Sequence, residues 1–148
     1  LMSLRLFNFL ILLLPIYVLG SHNRGGEITY IHLGGLTYEF TITTCTDLGS
    51  ATGADRPELY LDFDLGTPFA ERDTLQRTSQ QPLSLNHKKN TYVGVHTFTS
   101  TGTHRISMED PNRNAGILNI WPGGNSDDIV FALESFLIIS PGIFYDCI

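Results

Sequence analysis

The chain has 148 residues, of which 42% are hydrophobic and 16% are charged, and this length allows one domain and hardly two. Its nine Phe and six Tyr bring too much apolar surface for a chain that stays disordered. A formal net charge of −6 argues against nucleic acid and anionic lipid as partners.

The first twenty residues carry the pattern of an export signal. Arg5 is their single charge, and an almost continuous apolar stretch over residues 9–19 follows it. This pattern predicts a cleaved secretory signal peptide over residues 1–20, with cleavage between Gly20 and Ser21. An uncleaved membrane anchor is the alternative, but a run of about eleven apolar residues is shorter than the roughly 20 that span a bilayer. After cleavage, we expect no membrane-spanning segment.

Alternation of apolar and polar residues dominates the rest of the chain, and a period of two predicts strands. Between residues 36 and 45, Tyr38, Phe40 and Ile42 alternate with hydroxyl and acidic side chains, as in a strand with one buried face. Glycine, proline and asparagine turn signals separate such segments. The predicted strands are Glu27–Leu33, Leu36–Cys45, Glu58–Asp64, Thr91–Thr99, Thr103–Met108, Ile117–Trp121 and Ile129–Ile139.

A polar segment follows the third of these strands. Residues 68–90 contain three Gln and two Lys, and they show only a weak strand pattern at Thr74–Arg77 and another at Leu83–Leu85. We therefore predict a long, partly ordered loop here. Seven short strands with regular turn signals predict one all-β domain, a sandwich or a barrel.

The residue types that carry most enzyme chemistry are scattered along the chain. The five His residues form no His-Glu-x-x-His motif, and there is neither a Cys-x-x-Cys pair nor a Gly-x-Ser-x-Gly elbow. His96 and His104 fall in strand patterns, and we expect them to be packing or strand-pairing residues rather than ligands or bases. The sequence therefore predicts no catalytic residue and no cofactor.

Two pairs of carboxylates are weak candidates for a calcium site. Asp62 and Asp64 are two residues apart on a predicted strand, and hence on one face at roughly 7 Å. Asp127 and Asp128 follow a Gly-Gly-Asn turn. Calcium needs six to eight oxygen ligands, and no Asp-x-Asp-x-Asp-Gly loop supplies them. Solvated strand edges and turn capping are the favoured interpretation, as for the turn at residues 110–114.

Exposed aromatic rings would suit carbohydrate binding, because sugar rings stack on Trp and Tyr. The candidates for such a contact are Trp121, Tyr60 and Tyr92. For Trp121, packing on the core is favoured, since a large ring buries about 150 to 250 Å².

Two cysteines in an exported chain suggest a disulfide between Cys45 and Cys147, which would stabilise the fold by closing a long loop. The alternative is that Cys147, which lies beyond the last predicted strand, pairs with a residue outside this sequence. Spacing alone does not decide, because a disulfide depends on the geometry of the two side chains.

Two segments resemble the signature segments of PKD-type immunoglobulin-like domains, W-x-F-G-D-G and H-T-Y-x-x-x-G-x-Y-x-V. Residues 96–106, HTFTSTGTHRI, match the second signature, and residues 59–66, LYLDFDLG, correspond to the first. This first segment departs from the pattern, with Tyr60 or Leu61 in place of Trp and no Gly-Asp-Gly turn. The resemblance implies an immunoglobulin-like, PKD-like β-sandwich of about seven antiparallel strands over residues 21–142.

A wider resemblance covers nearly all of the mature chain. Segments at residues 21–30, 38–46, 55–59 and 108–116 together resemble the N-terminal domain of very large surface proteins of gliding bacteria, the gliding-motility-associated C-terminal-domain proteins. This resemblance implies export through a type IX secretion system and a non-catalytic role in adhesion or surface structure. The partners that it implies are downstream domains of the same polypeptide, and surface glycans or proteins.

In that family the chain continues beyond this domain. Residues 143–148 are accordingly expected to be the start of a truncated continuation, and the sequence an N-terminal fragment. Two other functions stay open: a carbohydrate-binding module, and a calcium-stabilised accessory domain of an extracellular hydrolase.

Overall fold

Strands make up almost all of the regular structure. The computed structural model describes residues 23–48, 55–83, 86–113, 117 and 126–142. The strands are β1 (Asn23–Gly34), β2 (Thr37–Asp47), β3 (Glu58–Phe63), β4 (Glu71–Pro82), β5 (His87–Thr97), β6 (Gly102–Asp110) and β7 (Phe131–Ile139), and a short 3-10 helix covers Ser126–Asp128. All strand pairs are antiparallel, in the sheet order β1-β2-β5-β4-β3-β6-β7. The predicted all-β class with seven antiparallel strands is confirmed.

No helix among these described residues is long and apolar enough to cross a membrane. The 3-10 helix is the one helical segment in the described part of the chain, and it has three residues. Sheet pairing therefore organises the described part of the molecule.

Strand β4 belongs to both halves of the sheet. Its residues 71–76 pair with β3, and its residues 76–82 pair with β5. A register shift between Arg77 and Ser79 lies within the second half, and such irregularities bend a strand. β4 thereby joins a layer of β1, β2 and β5 to a layer of β3, β6 and β7, and the sheet folds over one core in a sandwich-like arrangement.

The prediction of a long loop over residues 68–90 is therefore wrong. Strand β4 and the start of β5 occupy most of this segment, while residues 84–85 lie outside the described part of the chain. Leu75 is the only β4 side chain that is buried in the core. A strand at the bend between two layers exposes most of both faces, so its sequence lacks the apolar alternation that would predict it.

The buried faces of the two layers meet in one apolar core. β2 shows the alternation that the sequence predicts, with Tyr38, Phe40 and Ile42 buried. The Phe40 ring packs on the Phe63 ring of β3 at a centroid distance of 5.2 Å, and this contact joins the layers. The other buried apolar side chains are Leu59, Leu61, Leu75, Tyr92, Phe98, Ile106, Met108, Phe131, Leu137 and Ile139.

Two predicted strands need comment. β3 ends at Phe63, and Asp64 has a positive φ of 50°, so the predicted strand over residues 58–64 is one residue too long. Asp62 and Asp64 consequently do not share one face of a strand. Only the first residue of the predicted strand at residues 117–121 lies in the described part of the chain.

Candidate functional site

A pocket lies at the end of the sandwich where the loop between β3 and β4 meets the loop between β5 and β6. Its volume is about 200 Å³, which is less than the roughly 300–1,000 Å³ of sites for drug-sized ligands. Phe69 lines the pocket from the first loop and is 72% exposed. The hydroxyl-bearing residues 99–101 line it from the second loop. Two buried histidines, His96 of β5 and His104 of β6, form part of the wall.

The loop between β3 and β4 is shaped by its own backbone. Asp64 and Gly66 adopt positive φ angles of 50° and 89°, which short polar residues and glycine tolerate best. The N–H of Thr67 donates to the Asp64 carbonyl oxygen at 3.1 Å, and the N–H of Phe69 donates to the Thr67 hydroxyl at 3.1 Å. This turn places the carboxylate of Asp64 and the ring of Phe69 on the same pocket.

His104 is held through both ring nitrogens. Its Nδ1 lies 2.7 Å from Asp64 Oδ2, and its Nε2 lies 3.1 Å from the Ser100 carbonyl oxygen. Because a carbonyl oxygen only accepts, Nε2 donates to it. In the other hydrogen bond the proton lies on either His104 Nδ1 or Asp64 Oδ2. Asp64 Oδ1 also accepts from the N–H of Arg105 at 2.8 Å. Both nitrogens of His104 are therefore used within the fold.

His96 is held on one side of its ring. The ring stacks on Phe63 with centroids 3.8 Å apart and planes 11° apart, and Nδ1 lies 2.8 Å from Asp73 Oδ2. Nε2 is 3.9 Å from Glu71 Oε2, which is beyond hydrogen-bond distance, and no other described residue hydrogen-bonds to it. Since His96 is only 6% exposed, Nε2 is a nearly buried polar atom at the pocket wall.

Both histidine rings pack on the Phe98 ring of the core. The Phe98 ring lies 4.6 Å from the His96 ring and 4.2 Å from the His104 ring, measured between centroids. In the described ranges, no group of three His, Cys, Asp or Glu side chains is placed to hold a metal ion. The pocket instead combines hydrogen-bonding groups with an aromatic edge, which suits the binding of a small polar molecule.

Asp62 and Asp64, two of the calcium candidates, are hydrogen-bonded to different residues. Asp62 is buried and accepts two hydrogen bonds from Arg72, at 2.6 Å from Nε and 2.9 Å from Nη2. These hydrogen bonds and the charge of Asp62 raise the pKa of the Arg72 guanidinium. Asp64 is engaged as described above, and Asp128 is exposed on the 3-10 helix. The side chain of Asp127 lies outside the described part of the structure.

The aromatic candidates for glycan contact differ in exposure. Tyr60 is 45% exposed, and the Arg72 guanidinium lies 5.4 Å from the centroid of its ring. Tyr92 is 1% exposed and its hydroxyl donates to the Arg56 carbonyl oxygen at 3.0 Å, while burial raises the pKa of its phenol. The prediction of Tyr92 as an exposed ring is therefore wrong. Its neighbours on the same face of β5 are Asn90 and Gly94, so the sequence shows no apolar alternation there. Trp121 lies outside the described residues.

A second polar cluster lies toward the other end of β5, and the sequence analysis missed it. Lys88 and Asn90 point inward and are buried. Asp55 accepts from Lys88 Nζ at 2.7 Å and from Gln80 Nε2 at 3.0 Å, and it forms an ion pair with Arg77. Burial alone would raise the pKa of Asp55, but the hydrogen bonds and positive charges outweigh it, so the pKa is lowered. The one sequence signal for this cluster is the unusual placement of polar residues on the inward face of β5.

The remaining predicted positions concern the cysteines and the leader. Cys45 is partly buried on the outward face of β2. Cys147, Gly20 and Ser21 lie outside the described residues. The disulfide and the cleavage site stay predictions.

Comparisons with protein-family models, with curated proteins and with solved structures gave no match to this chain. Its function therefore has to be argued from geometry. Two features carry that argument: the pocket, and the apolar side chains that the strands at the two ends of the sheet expose.

Proposed function

We propose that the chain is a non-catalytic β-sandwich module of an exported cell-surface protein, with a role in adhesion or surface structure. The observation that carries this proposal is the apolar surface on β1 and β7, the two end strands of the sheet. Ile31 on β1 is 61% exposed, and Ile138 on β7 is 71% exposed. Apolar side chains along open strand edges are typical of surfaces that contact other molecules.

Strand β7 has the composition of a contact strand. Phe136 and Ile138 are exposed, whereas Leu137 between them is buried in the core. Its single charged residue is Glu134, and the Arg105 guanidinium of β6 neutralises that charge with Nε 2.6 Å from Oε2. Proteins commonly protect a strand edge with unpaired charge, and this strand has little. Its backbone and two large side chains are therefore suited to receive a partner surface or strand.

Strand β1 adds a similar surface at the other end of the sheet. Tyr30, Ile31 and Leu33 are all exposed, and both faces of the second half of the strand are open. Nearer its start, β1 packs closely on β7, since a Cβ on Gly26 would lie 3.1 Å from Leu133 Cδ1. Both end strands of the sheet thus expose large apolar side chains.

Two further observations support the proposal. Both ring nitrogens of His104 are hydrogen-bonded within the fold, as in a structural residue. The leader pattern at residues 1–20 and the resemblance of residues 21–142 to surface-protein domains support export.

The test is an adhesion assay with bacteria that display the protein. Cells that display the wild-type chain are compared with cells that display the double variant Phe136→Glu with Ile138→Lys, and the measurement is retention on polystyrene under flow. We expect retention to fall by about tenfold, because the variant replaces apolar contact area with hydrated charge.

A matched control carries the same two charges on another strand. Thr74→Glu with Gln76→Lys places them two residues apart at exposed positions of β4, and we expect wild-type retention. Antibody staining confirms equal display of all variants. Equal retention of the β7 variant and the wild type would contradict the proposal, as would wild-type retention no higher than that of cells without the protein.

A further inference from the structure

We propose that the pocket between the β3–β4 loop and the β5–β6 loop binds a single neutral sugar residue. His96 and Glu71 supply the polar contacts, and Phe69 supplies a stacking surface. The pocket is built from other residues than the exposed side chains of β1 and β7, so this binding is additional to the adhesion proposed above.

Nε2 of His96 is a buried ring nitrogen to which no described residue hydrogen-bonds. Buried polar atoms in proteins almost always have a hydrogen-bond partner. His96 is buried, with 6% of its surface exposed. Its Nδ1 is bonded to Asp73, yet Nε2 faces Glu71 across 3.9 Å with no hydrogen bond in the described part of the chain. A partner from outside the fold would satisfy it.

The 3.9 Å between His96 Nε2 and Glu71 Oε2 suits one bridging oxygen atom. One oxygen atom placed at about 2.8 Å from both His96 Nε2 and Glu71 Oε2 forms two hydrogen bonds. A hydroxyl group is suited to this place because it donates its one proton to the Glu71 carboxylate and accepts a hydrogen bond from Nε2–H of the imidazole. Further hydroxyl side chains surround the same space, namely Thr67, Thr99, Ser100, Thr101 and Thr103.

The charges around the pocket favour a neutral ligand. Asp64 and Glu71 both line the pocket, and the Asp64 carboxylate is hydrogen-bonded to His104. Glu71 has no closer ionic contact within the described residues than His96 at 3.9 Å. An anion would be repelled by this carboxylate, and no group of three His, Cys, Asp or Glu side chains among the described residues is placed to hold a metal cation. A neutral molecule with several hydroxyl groups fits better than either.

The aromatic side chain of the pocket lining that faces solvent is Phe69. Phe69 is the most exposed large apolar side chain in the described part of the chain, at 72%. Its position on the pocket allows the apolar face of a sugar ring to lie against it while the hydroxyls reach inward. The volume of about 200 Å³ limits the ligand to one ring, as at the end of a glycan chain.

The experiment is an NMR titration of the full purified chain with methyl glycosides. The probes are the methyl glycosides of glucose, galactose, mannose, fucose and N-acetylglucosamine, and the reporters are the ring signals of His96 and His104. Methylammonium chloride and sodium acetate test for a cation and an anion. We expect at least one glycoside to shift both histidine signals saturably, with a dissociation constant on the order of 1 mM.

Two variants test the contacts without touching the core. We expect Glu71→Gln and Phe69→Ala each to weaken binding by about fivefold. The matched controls are Glu27→Gln, an exposed acid on β1, and Phe136→Ala, an exposed ring on β7, and both should bind like the wild type. Because β7 is the adhesive strand in the proposed function, sugar binding by Phe136→Ala separates the two claims.

Three results would overturn the inference. The first is no saturable shift with any glycoside at about ten times 1 mM, which would mean that water alone occupies the gap. The second is saturable binding of methylammonium or acetate in preference to every glycoside. The third is glycoside binding that survives both pocket substitutions unchanged.

Discussion

Asp64 shapes the end of the sandwich that carries the pocket. Its positive φ ends strand β3, and its two carboxylate oxygens hold His104 and the backbone of Arg105. These contacts join the loop after β3 to the start of β6. The position therefore needs a short side chain that tolerates a left-handed backbone and that offers a polar atom on each side.

Asparagine meets these needs and alanine does not. We expect Asp64→Asn to cost less than about 1 kcal/mol, because its amide oxygen accepts from Arg105 and its amide nitrogen donates to a neutral His104. Asp64→Ala should cost about 2–3 kcal/mol, since it loses both hydrogen bonds at a positive φ. Urea unfolding of both variants checks this. Equal destabilisation by the two substitutions would contradict the account.

Asp55 carries the clearest dependence of stability on pH. Its pKa is lowered in the folded state, so its contribution to the free energy of unfolding is complete above the ordinary value of about 3.9 and is lost as pH falls through the folded value. We expect Asp55→Asn to be about 2 kcal/mol less stable than the wild type at pH 7, with a difference that shrinks below about pH 4. Urea unfolding at several pH values measures it, and a constant difference between pH 7 and pH 3 would contradict the prediction.

At the level of elements, β4 explains what the sequence could and could not predict. β2 was predictable because every second residue from Tyr38 to Thr46 is buried, and a half-buried strand records its environment in its alternation. β4 was not predictable, because it crosses between the layers and contributes one residue to the core, Leu75. The pairing of His96 with Asp73 was hidden for the same reason, since it depends on where β4 lies.

The close approach of β1 to β7 gives a test at the same level. A Cβ on Gly26 would lie 2.5 Å from the Thr43 carbonyl oxygen and 3.1 Å from Leu133 Cδ1, whereas a Cβ on Gly25 would meet nothing within 4 Å. We expect Gly26→Ala to cost about 1–3 kcal/mol and Gly25→Ala to change stability by no more than about 0.5 kcal/mol. Thermal unfolding of this matched pair decides. Equal melting temperatures would show that the packing of β1 is looser than described.

For the whole molecule, an apolar core lies between two polar ends. Lys88 and Asn90 close one end and the two buried histidines close the other, with the apolar rings of the core between them. The all-β class followed from alternation and turn signals, but the two polar ends did not, because their contacts join residues far apart in the chain. Asp55 and Lys88, for example, are 33 residues apart.

The apolar residues left outside this core, on β1 and β7, are the basis of the proposed function. Hydrogen exchange measured by mass spectrometry on the full chain, free in solution and adsorbed on polystyrene, tests this claim most directly. We expect amide hydrogen exchange to slow on adsorption in peptides from β1 and β7. It should change little in peptides from β2 and β5, which are paired on both edges. Unchanged exchange in β1 and β7, with protection elsewhere, would contradict it.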